Sequence, residues 1–373
     1  MVYARLDCRY FRGDRPCSYN TSCSACPDYQ PQGKKILIIK LAATGDVLRT
    51  TPVLRGIKRK YPRSFITWIT EREAVDLLKD NNYIDRLLVY GLPDVERLKV
   101  ERFDVLICLD KEIEAIVLAN QVKAKKKFGF GFDPRTGNAV PFNRESGYAW
   151  ELGLSDELKF KKNEKSYPQI IFEMAKLRYD NDEYILNISE TDRIYAQDLL
   201  NRTGVPGTSP IVGLNTGAGS RFANKAWTER GFAELIRLIR ADTDASVFLL
   251  GGPKESQLNA RIASRTGDLA YSAGCYHSLG QFAAIVEACS LIVSGDTVAL
   301  HIAIALKKFT VAIFGPTCDT EVDLYGRGVK VTSPIECRPC YRKQCDKKNN
   351  CMDLIKPEEV FAAVQKLFSK CKH

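Results

Sequence analysis

Three stretches of this chain combine small-residue turns with groups able to move a proton or hold an anion. The first is Ala42-Ala43-Thr44-Gly45-Asp46, directly after the apolar run Ile36–Leu41. A carboxylate there, beyond the carboxyl end of a strand, is positioned for chemistry before it is positioned for packing. The same aspartate can also serve as a plain helix cap, and both readings stand at this point. The second stretch is Leu214-Asn215-Thr216-Gly217-Ala218-Gly219-Ser220, with Lys225 and Trp227 soon after. Its glycines let backbone approach phosphate oxygens, and Lys225 offers a point charge to a diphosphate. The third is Ser294-Gly295-Asp296-Thr297-Val298, with His301 one turn further on. A strand running into a helix start there makes an anion site, and Thr297 either caps the helix or donates to phosphate. Glu255, in Gly251-Gly252-Pro253-Lys254-Glu255, places an acid where ribose hydroxyls or a helix start would want one.

Composition limits what these groups can be doing. The turn after Ile36–Leu41 lacks the G-x-G-x-x-G fingerprint, so a nicotinamide or flavin reading loses its main support. Three histidines leave little room for a histidine-based metal site. Lys+Arg 55 against Asp+Glu 45 gives a formal charge of +10, which favours an anionic partner without selecting one. Thirteen cysteines are many for a chain expected to be cytoplasmic, its N-terminal stretch lacking the apolar run of a secretory signal. Eight fall into two sets, Cys8, Cys17, Cys23, Cys26 and Cys337, Cys340, Cys345, Cys351. Each set contains a Cys-x2-Cys step, the spacing of tetrahedral thiolate sites for zinc, iron or an iron–sulfur cluster. Cys108, Cys275, Cys289, Cys318 and Cys371 stand apart.

The elements that must position these groups alternate in type. Strands are expected at Ile36–Leu41, Phe65–Thr70, Arg86–Tyr90 and Asp104–Leu109, with helices over 47–60, 74–79 and 112–122 between or after them. The polar stretch 132–166 shows no clear strand, and 168–178 reads as helix. A second alternation follows: strands at 210–214, 246–250, 291–294 and 310–314, helices over 229–241, 255–265, 279–289 and 298–306. A Pro-initiated helix, 357–369, closes the chain with Val360, Val364 and Leu367 on its apolar positions. Repeated βαβ units imply parallel sheets. The expected division is a cysteine-rich appendage, 1–33; a first Rossmann-like domain, 34–180; a second, 181–356, holding the cysteine-rich loop 337–351; and a C-terminal helix, 357–373. No apolar run approaches the length of a membrane span, so a cytoplasmic location is expected.

Taken in order, Ile36-Leu37-Ile38-Ile39-Lys40, Thr44-Gly45-Asp46-Val47, Thr50-Thr51-Pro52, Lys225-Ala226-Trp227, Gly251-Gly252-Pro253-Lys254-Glu255, Gly295-Asp296-Thr297 with His301, and Phe314-Gly315-Pro316-Thr317 resemble glycosyltransferase family 9, the ADP-heptose:lipopolysaccharide heptosyltransferases. The cysteine-bearing tail is similar to that of the heptosyltransferase II-like branch. The resemblance implies an α/β, GT-B architecture of two Rossmann-like doubly wound domains facing across a cleft, the acceptor bound mainly by the first, 34–180, and the nucleotide-sugar by the second, 181–356. It implies an inverting transfer of heptose, or a related sugar, from an ADP-activated donor to an anionic lipopolysaccharide core-type glycolipid, with no catalytic metal. By the same resemblance Asp46 matches the general base. Thr216, Gly217 and Lys225 match diphosphate-binding positions, Glu255 the ribose-binding acid, and Asp296, Thr297 and His301 the donor turn. Two departures stand out: Val298 where the family usually has glycine, and the N-terminal cysteine set. Related autotransporter heptosyltransferases carry iron on a cysteine tail, which favours a structural metal here. The positive charge fits a peripheral contact with the inner membrane face. A protein-glycosylating relative and a metal-stapled nucleic-acid-binding protein are the alternatives; dispersed basic residues and an unexplained strand–helix body argue against nucleic acid as partner.

Overall fold

In the computed structural model, residues 4–219 and 223–371 are described; Ser220 of the glycine loop and the last two residues lie outside them. The chain folds into two compact units. One comprises Met1–Ala43, Thr50–Ser155 and Pro168–Asp182; the other comprises Thr44–Arg49, Asp156–Tyr167 and Glu183–His373.

The first unit is built on a sheet of β1 (Lys35–Ile39), β2 (Phe65–Thr70), β3 (Arg86–Val89), β4 (Arg102–Cys108), β5 (Lys123–Asp133) and β6 (Asn138–Pro141), in the order β3-β2-β1-β4-β5-β6. β1 through β5 pair in parallel, and β6 runs antiparallel to β5. Parallel strands covered on both faces read as unbroken apolar runs, and Ile36, Leu37, Ile38 and Ile39 are all fully buried. Ile38 lies between Trp68 and Ile107 in the register. The second sheet, β7 (Ile211–Asn215), β8 (Ser246–Leu250), β9 (Tyr271–Ser272), β10 (Leu291–Gly295), β11 (Phe309–Phe314) and β12 (Gly328–Thr332), has the order β12-β11-β10-β7-β8-β9, parallel throughout. Counted from its own first strand, each sheet follows the Rossmann order 3-2-1-4-5-6. Both units are therefore doubly wound α/β structures, as the alternation requires.

Several details differ from the sequence reading, which also lacks the helix Leu92–Val100, β9 and β12. The expected helix over 47–60 is two helices, α1 (Thr44–Thr50) and α2 (Val53–Lys60). Pro52 lacks the N–H that a continuous helix would need and crowds the carbonyl one turn back, so the axis breaks there. The stretch 132–166, read as strandless, holds β6 and the end of β5. At Gly129, φ is +89°, and a β-carbon would run into the Cys108 carbonyl, so glycine is required where β5 passes from β4 to β6. The first half of β5, Lys-Ala-Lys-Lys-Lys, has lysines on an unpaired edge, a pattern that discourages strand addition and also hides the strand from a hydrophobicity reading.

The C-terminal helix Pro357–Cys371 is part of the second core. Val360, Val364 and Leu367 are buried beside Val212, Leu235 and Val311, each such side chain contributing roughly 1.5–3 kcal/mol. Trp227 joins them, its indole N–H donating to the Ile355 carbonyl at 3.1 Å. At the other end of the chain, Cys8 bridges to Pro31, and Arg9 reaches Asp85 at 2.9 Å and the Ser64 carbonyl at 3.1 Å, holding the N-terminal segment on the first unit.

Candidate functional site

Chain order changes direction between β7 and β10, and in open α/β sheets ligands settle beyond the carboxyl ends of strands at such a switch point. The groups singled out from the sequence gather there, within the second unit. β10 ends at Gly295, and the helix Val298–Ala305 begins after Asp296-Thr297. Thr297 occupies the cap position but its side chain does not cap the helix. Its hydroxyl instead lies 3.2 Å from both the Asn215 carboxamide nitrogen and the Ser294 hydroxyl. Asn215, at the end of β7, also donates to Ser294 at 3.1 Å and to the Gly217 carbonyl at 3.3 Å. One carboxamide thus locks the two strand ends and the turn together.

Lys225 donates to the Asp296 backbone carbonyl at 2.7 Å and stands 3.7 Å from its carboxylate. That places its charge beside the helix start, where a diphosphate would need it. Glu255 accepts from the Gly252 N–H at 2.9 Å, which closes a helix start, and a methyl added to Gly217 would come within 3.3 Å of its carboxyl carbon. The acid and the glycine loop are therefore neighbours. Thr216 is placed differently. It is buried, and its hydroxyl binds the Leu250 carbonyl at 3.2 Å and Asn259 at 2.6 Å. Its backbone N–H also donates to the Leu250 carbonyl at 3.3 Å, so it ties β7 to β8.

Asp46 belongs to the first turn of α1 rather than to a cap, since the helix starts at Thr44. α1 up to Arg49 packs with the second unit, and Gly45 abuts His301, where a β-carbon would meet the ring at 2.9 Å. Only glycine allows that approach. The Asp46 carboxylate remains 42% exposed and lies 3.5 Å from the Arg49 guanidinium. Arg49 is buried. It donates to the Glu321 carbonyl at 2.9 Å and lies 4.1 Å from the Tyr167 ring centroid. Burial alone would lower its pKa, but Tyr184, Asp46 and Glu321 outweigh that and keep it charged. His301 is 4% exposed, its Nε2 3.8 Å from Asp296 and its Nδ1 without a hydrogen-bond partner. Burial first, then the Arg49 charge, push its pKa down to about 4 against the pull of Asp296 and Asp46. The imidazole is therefore neutral at pH 7.

In the first unit, the end of β1 is fixed to the segment after β4. Lys40 and Asp110 form a buried ion pair, and Asp110 also accepts from the Leu41 N–H. Trp68 donates to the Lys40 carbonyl at 3.3 Å.

Sequence reasoning singled out neither Arg49 nor Asn215. Arg49 had a signal, the i,i+3 spacing from Asp46 on one helix face. Tyr167, Tyr184 and Glu321 had none, because tertiary packing alone brings them to that guanidinium. The assembled chemistry is a half-exposed carboxylate backed by a fixed cation, a neutral imidazole, and a lysine at a helix start. Such a set can remove a proton and hold an anionic leaving group.

The cysteines are free thiols at Cys8, Cys17, Cys23, Cys26, Cys337, Cys340, Cys345 and Cys351. Among the described residues no group of three or more His, Cys, Asp or Glu side chains is arranged to hold a metal ion. The 337–351 thiols do feel one another: burial, then Cys340, Cys345 and Cys337, push Cys351 up to about 11. Cys340 and Tyr341 donate backbone N–H bonds to the Pro316 carbonyl at 2.9 and 3.0 Å, fastening this loop beside the Gly315-Pro316-Thr317 turn.

The family model of glycosyltransferase family 9 (heptosyltransferase) matches residues 95–350. Lipopolysaccharide heptosyltransferase 1 of Campylobacter coli is 22% identical over 365 residues, 90% of this chain and 99% of the relative. The crystal structure of the glycosyl transferase family 9 protein from Veillonella parvula DSM 2008 superposes with a TM-score of 0.72 at 20% identity, covering 90% of this chain and 97% of that one. The dodecameric iron-containing heptosyltransferase TibC, in complex with ADP-D-beta-D-heptose, superposes with a TM-score of 0.58 at 13% identity, covering 92% and 78%.

Proposed function

The chain belongs to glycosyltransferase family 9, the heptosyltransferase family, and from that premise we propose that it moves a heptose or related sugar from an ADP-activated donor to a lipopolysaccharide core-type acceptor, with inversion. It is a glycosyltransferase; donor, acceptor and stereochemistry are the proposed part. One observation carries the reading. Asp46 and the groups suited to a sugar diphosphate, Lys225, Asp296, Thr297 and His301, belong to the same compact unit, with Gly45 packed against His301. Relatives support the substrates: the Campylobacter coli protein is a lipopolysaccharide heptosyltransferase, and TibC holds ADP-heptose.

In this mechanism the acceptor hydroxyl attacks the anomeric carbon from the face opposite the diphosphate, and Asp46 takes its proton. Charge grows on the departing diphosphate, where Lys225 and the N–H groups after Thr297 stabilise it. Glu255 accepts from the ribose hydroxyls beside Gly217. His301 stays neutral at the donor turn, adding no charge beside the diphosphate. No step needs a metal. Nucleoside diphosphate release by purified protein, compared across ADP-heptose, UDP-sugars and GDP-sugars, tests this. Release from ADP-heptose that depends on a core acceptor is expected; equal release from a UDP-sugar removes the donor assignment.

A structural metal on either cysteine set is proposed as well. Four thiols in one loop are the right donor chemistry for zinc or iron, and TibC is iron-containing. Binding requires each loop to draw its thiols closer than they stand, since no described group forms a ligand set. Cys337, Cys340, Cys345 and Cys351 would hold one ion, and Cys8, Cys17, Cys23 and Cys26 another. Either would stiffen its loop. No helix among the described residues is long and apolar enough to cross a membrane. The proposed location is cytoplasmic, with the net charge of +10 favouring peripheral contact with an anionic inner face.

A further inference from the structure

The first unit carries a cleft of about 520 Å³ that none of the residues assigned above lines. Asp133, Thr136 and Asn138 of the β5–β6 hairpin line it, with Trp150 and Leu154, and with Lys111 from the segment after β4. The volume falls in the range of small-molecule sites. The hairpin turn is rigid. The Asp133 carboxylate accepts from the Arg135 N–H at 3.0 Å and the Thr136 hydroxyl at 3.1 Å, and the Asp133 carbonyl accepts from the Gly137 N–H at 2.8 Å. The Trp150 indole is pinned by its N–H, which donates to the Ala139 carbonyl at 2.9 Å. Leu154 stands 67% exposed, an apolar side chain left in water at the margin of the cleft.

The charges narrow the ligand. The Lys111 ammonium donates to the Ala149 carbonyl at 2.7 Å and lies 4.8 Å from the Phe130 ring centroid. It closes the end of the short helix Gly147–Glu151, so its charge is already engaged. Beside it, Asp133 repels an anion. Of the residues lining the cleft Lys111 is the one cation and Asp133 the one anion, and Arg135 at the turn pairs with Asp133 at 3.5 Å, so a phosphate or nucleotide meets no net positive lining. An aromatic ring and a leucine can cover the C–H face of a pyranose, while a carboxylate, a hydroxyl and a carboxamide bind hydroxyls in the plane of the sugar ring. We infer that this cleft binds an uncharged saccharide ring, as a subsite for one sugar of the glycan acceptor. The inference rests on the glycosyltransferase reading only for which glycan it is.

Intrinsic fluorescence tests it without turnover. The chain has three tryptophans, and Trp68 and Trp227 are 0% and 4% exposed, so a saccharide acting at the surface reports through Trp150. The full-length protein is titrated, with no donor present, with dephosphorylated core oligosaccharide and separately with inorganic phosphate. A saturable emission change with the oligosaccharide alone is expected, absent in Trp150→Phe. Leu154→Asp, exposed and therefore safe for folding, and Asp133→Asn should each weaken it about tenfold. In turnover assays the same two variants should raise acceptor KM and leave donor KM unchanged. An unresponsive wild type, or variants that titrate like it, would sink the subsite. Loss of transferase activity with every donor, alongside an intact titration, would instead sink the proposed reaction and leave the cleft a saccharide site.

Discussion

At the scale of single residues, Asp46 is half exposed while its neighbour Arg49 is buried and fixed by Glu321 and Tyr167. A base must reach its substrate, so the exposure fits, and a rigid cation stands behind the carboxylate. Asp46→Asn keeps the shape and removes the basicity. Turnover should fall by about 10² to 10⁴ with an unchanged circular dichroism spectrum, as general-base catalysis of that size implies. Turnover within a few-fold of wild type would take Asp46 out of the base role. His301 makes a prediction about stability. Its folded pKa, about 4, lies below the ordinary value of 6.5, so below pH 6.5 the unfolded chain binds a proton the folded one refuses. Stability should therefore fall as pH drops from 6.5 towards 4, by up to about 3 kcal/mol from this group. His277, whose pKa burial also lowers, adds in the same direction. Denaturant melts of wild type and His301→Gln across that window check the sign: the variant should lose less. Identical slopes would mean His301 is protonated in the fold.

At the scale of elements, Gly129 carries the hairpin that the saccharide subsite depends on. Gly129→Ala must place a β-carbon against the Cys108 carbonyl at a φ of +89°. It should lower stability by more than about 2 kcal/mol in urea melts, the scale of left-handed strain plus a steric clash. A loss under half that would show that β5 bends elsewhere. β5 also shows where sequence reading stops. β1, β2, β4, β7, β8, β10 and β11 were legible because parallel strands buried on both faces are apolar runs that stand out against their surroundings. The exposed half of β5 is a run of lysines, and β9 is two residues long, so neither leaves a hydrophobic trace. The site was legible for a related reason. Gly45, Gly217 and Asp296 sit on turns whose chemistry is local, and local patterns survive in a linear string. What surrounds Arg49 is not local: Tyr167, Tyr184 and Glu321 come from distant segments. Thr216 matched a diphosphate-binding position by resemblance, and the fold shows what a linear string does not: its hydroxyl is bound to the Leu250 carbonyl and Asn259.

At the scale of the whole molecule, the two sheets share one strand order yet are furnished differently. The second unit gathers Lys225, Glu255, Asp296 and His301 at its switch point, together with the α1 turn that carries Asp46. At the carboxyl ends of β1 and β4, the first unit has instead a closed ion pair, Lys40 with Asp110, which leaves no charge for a diphosphate. Nucleotide binding should therefore register in one unit only. At a hundred times its Kd, ADP should stabilise the fold by about 2.7 kcal/mol. Amide exchange should slow over 215–217, 252–255, 295–301 and 44–49, while the amides of β1 through β6 keep their rates. Protection at 44–49 is the demanding part. It is expected because those residues pack on His301 and not because they touch nucleotide, and it should vanish in a variant that unseats the turn, such as Gly45→Val. Exchange that slows in β1 and β4 instead would place the nucleotide in the first unit, and with it would go the assignment of Lys225 and Glu255 to the donor.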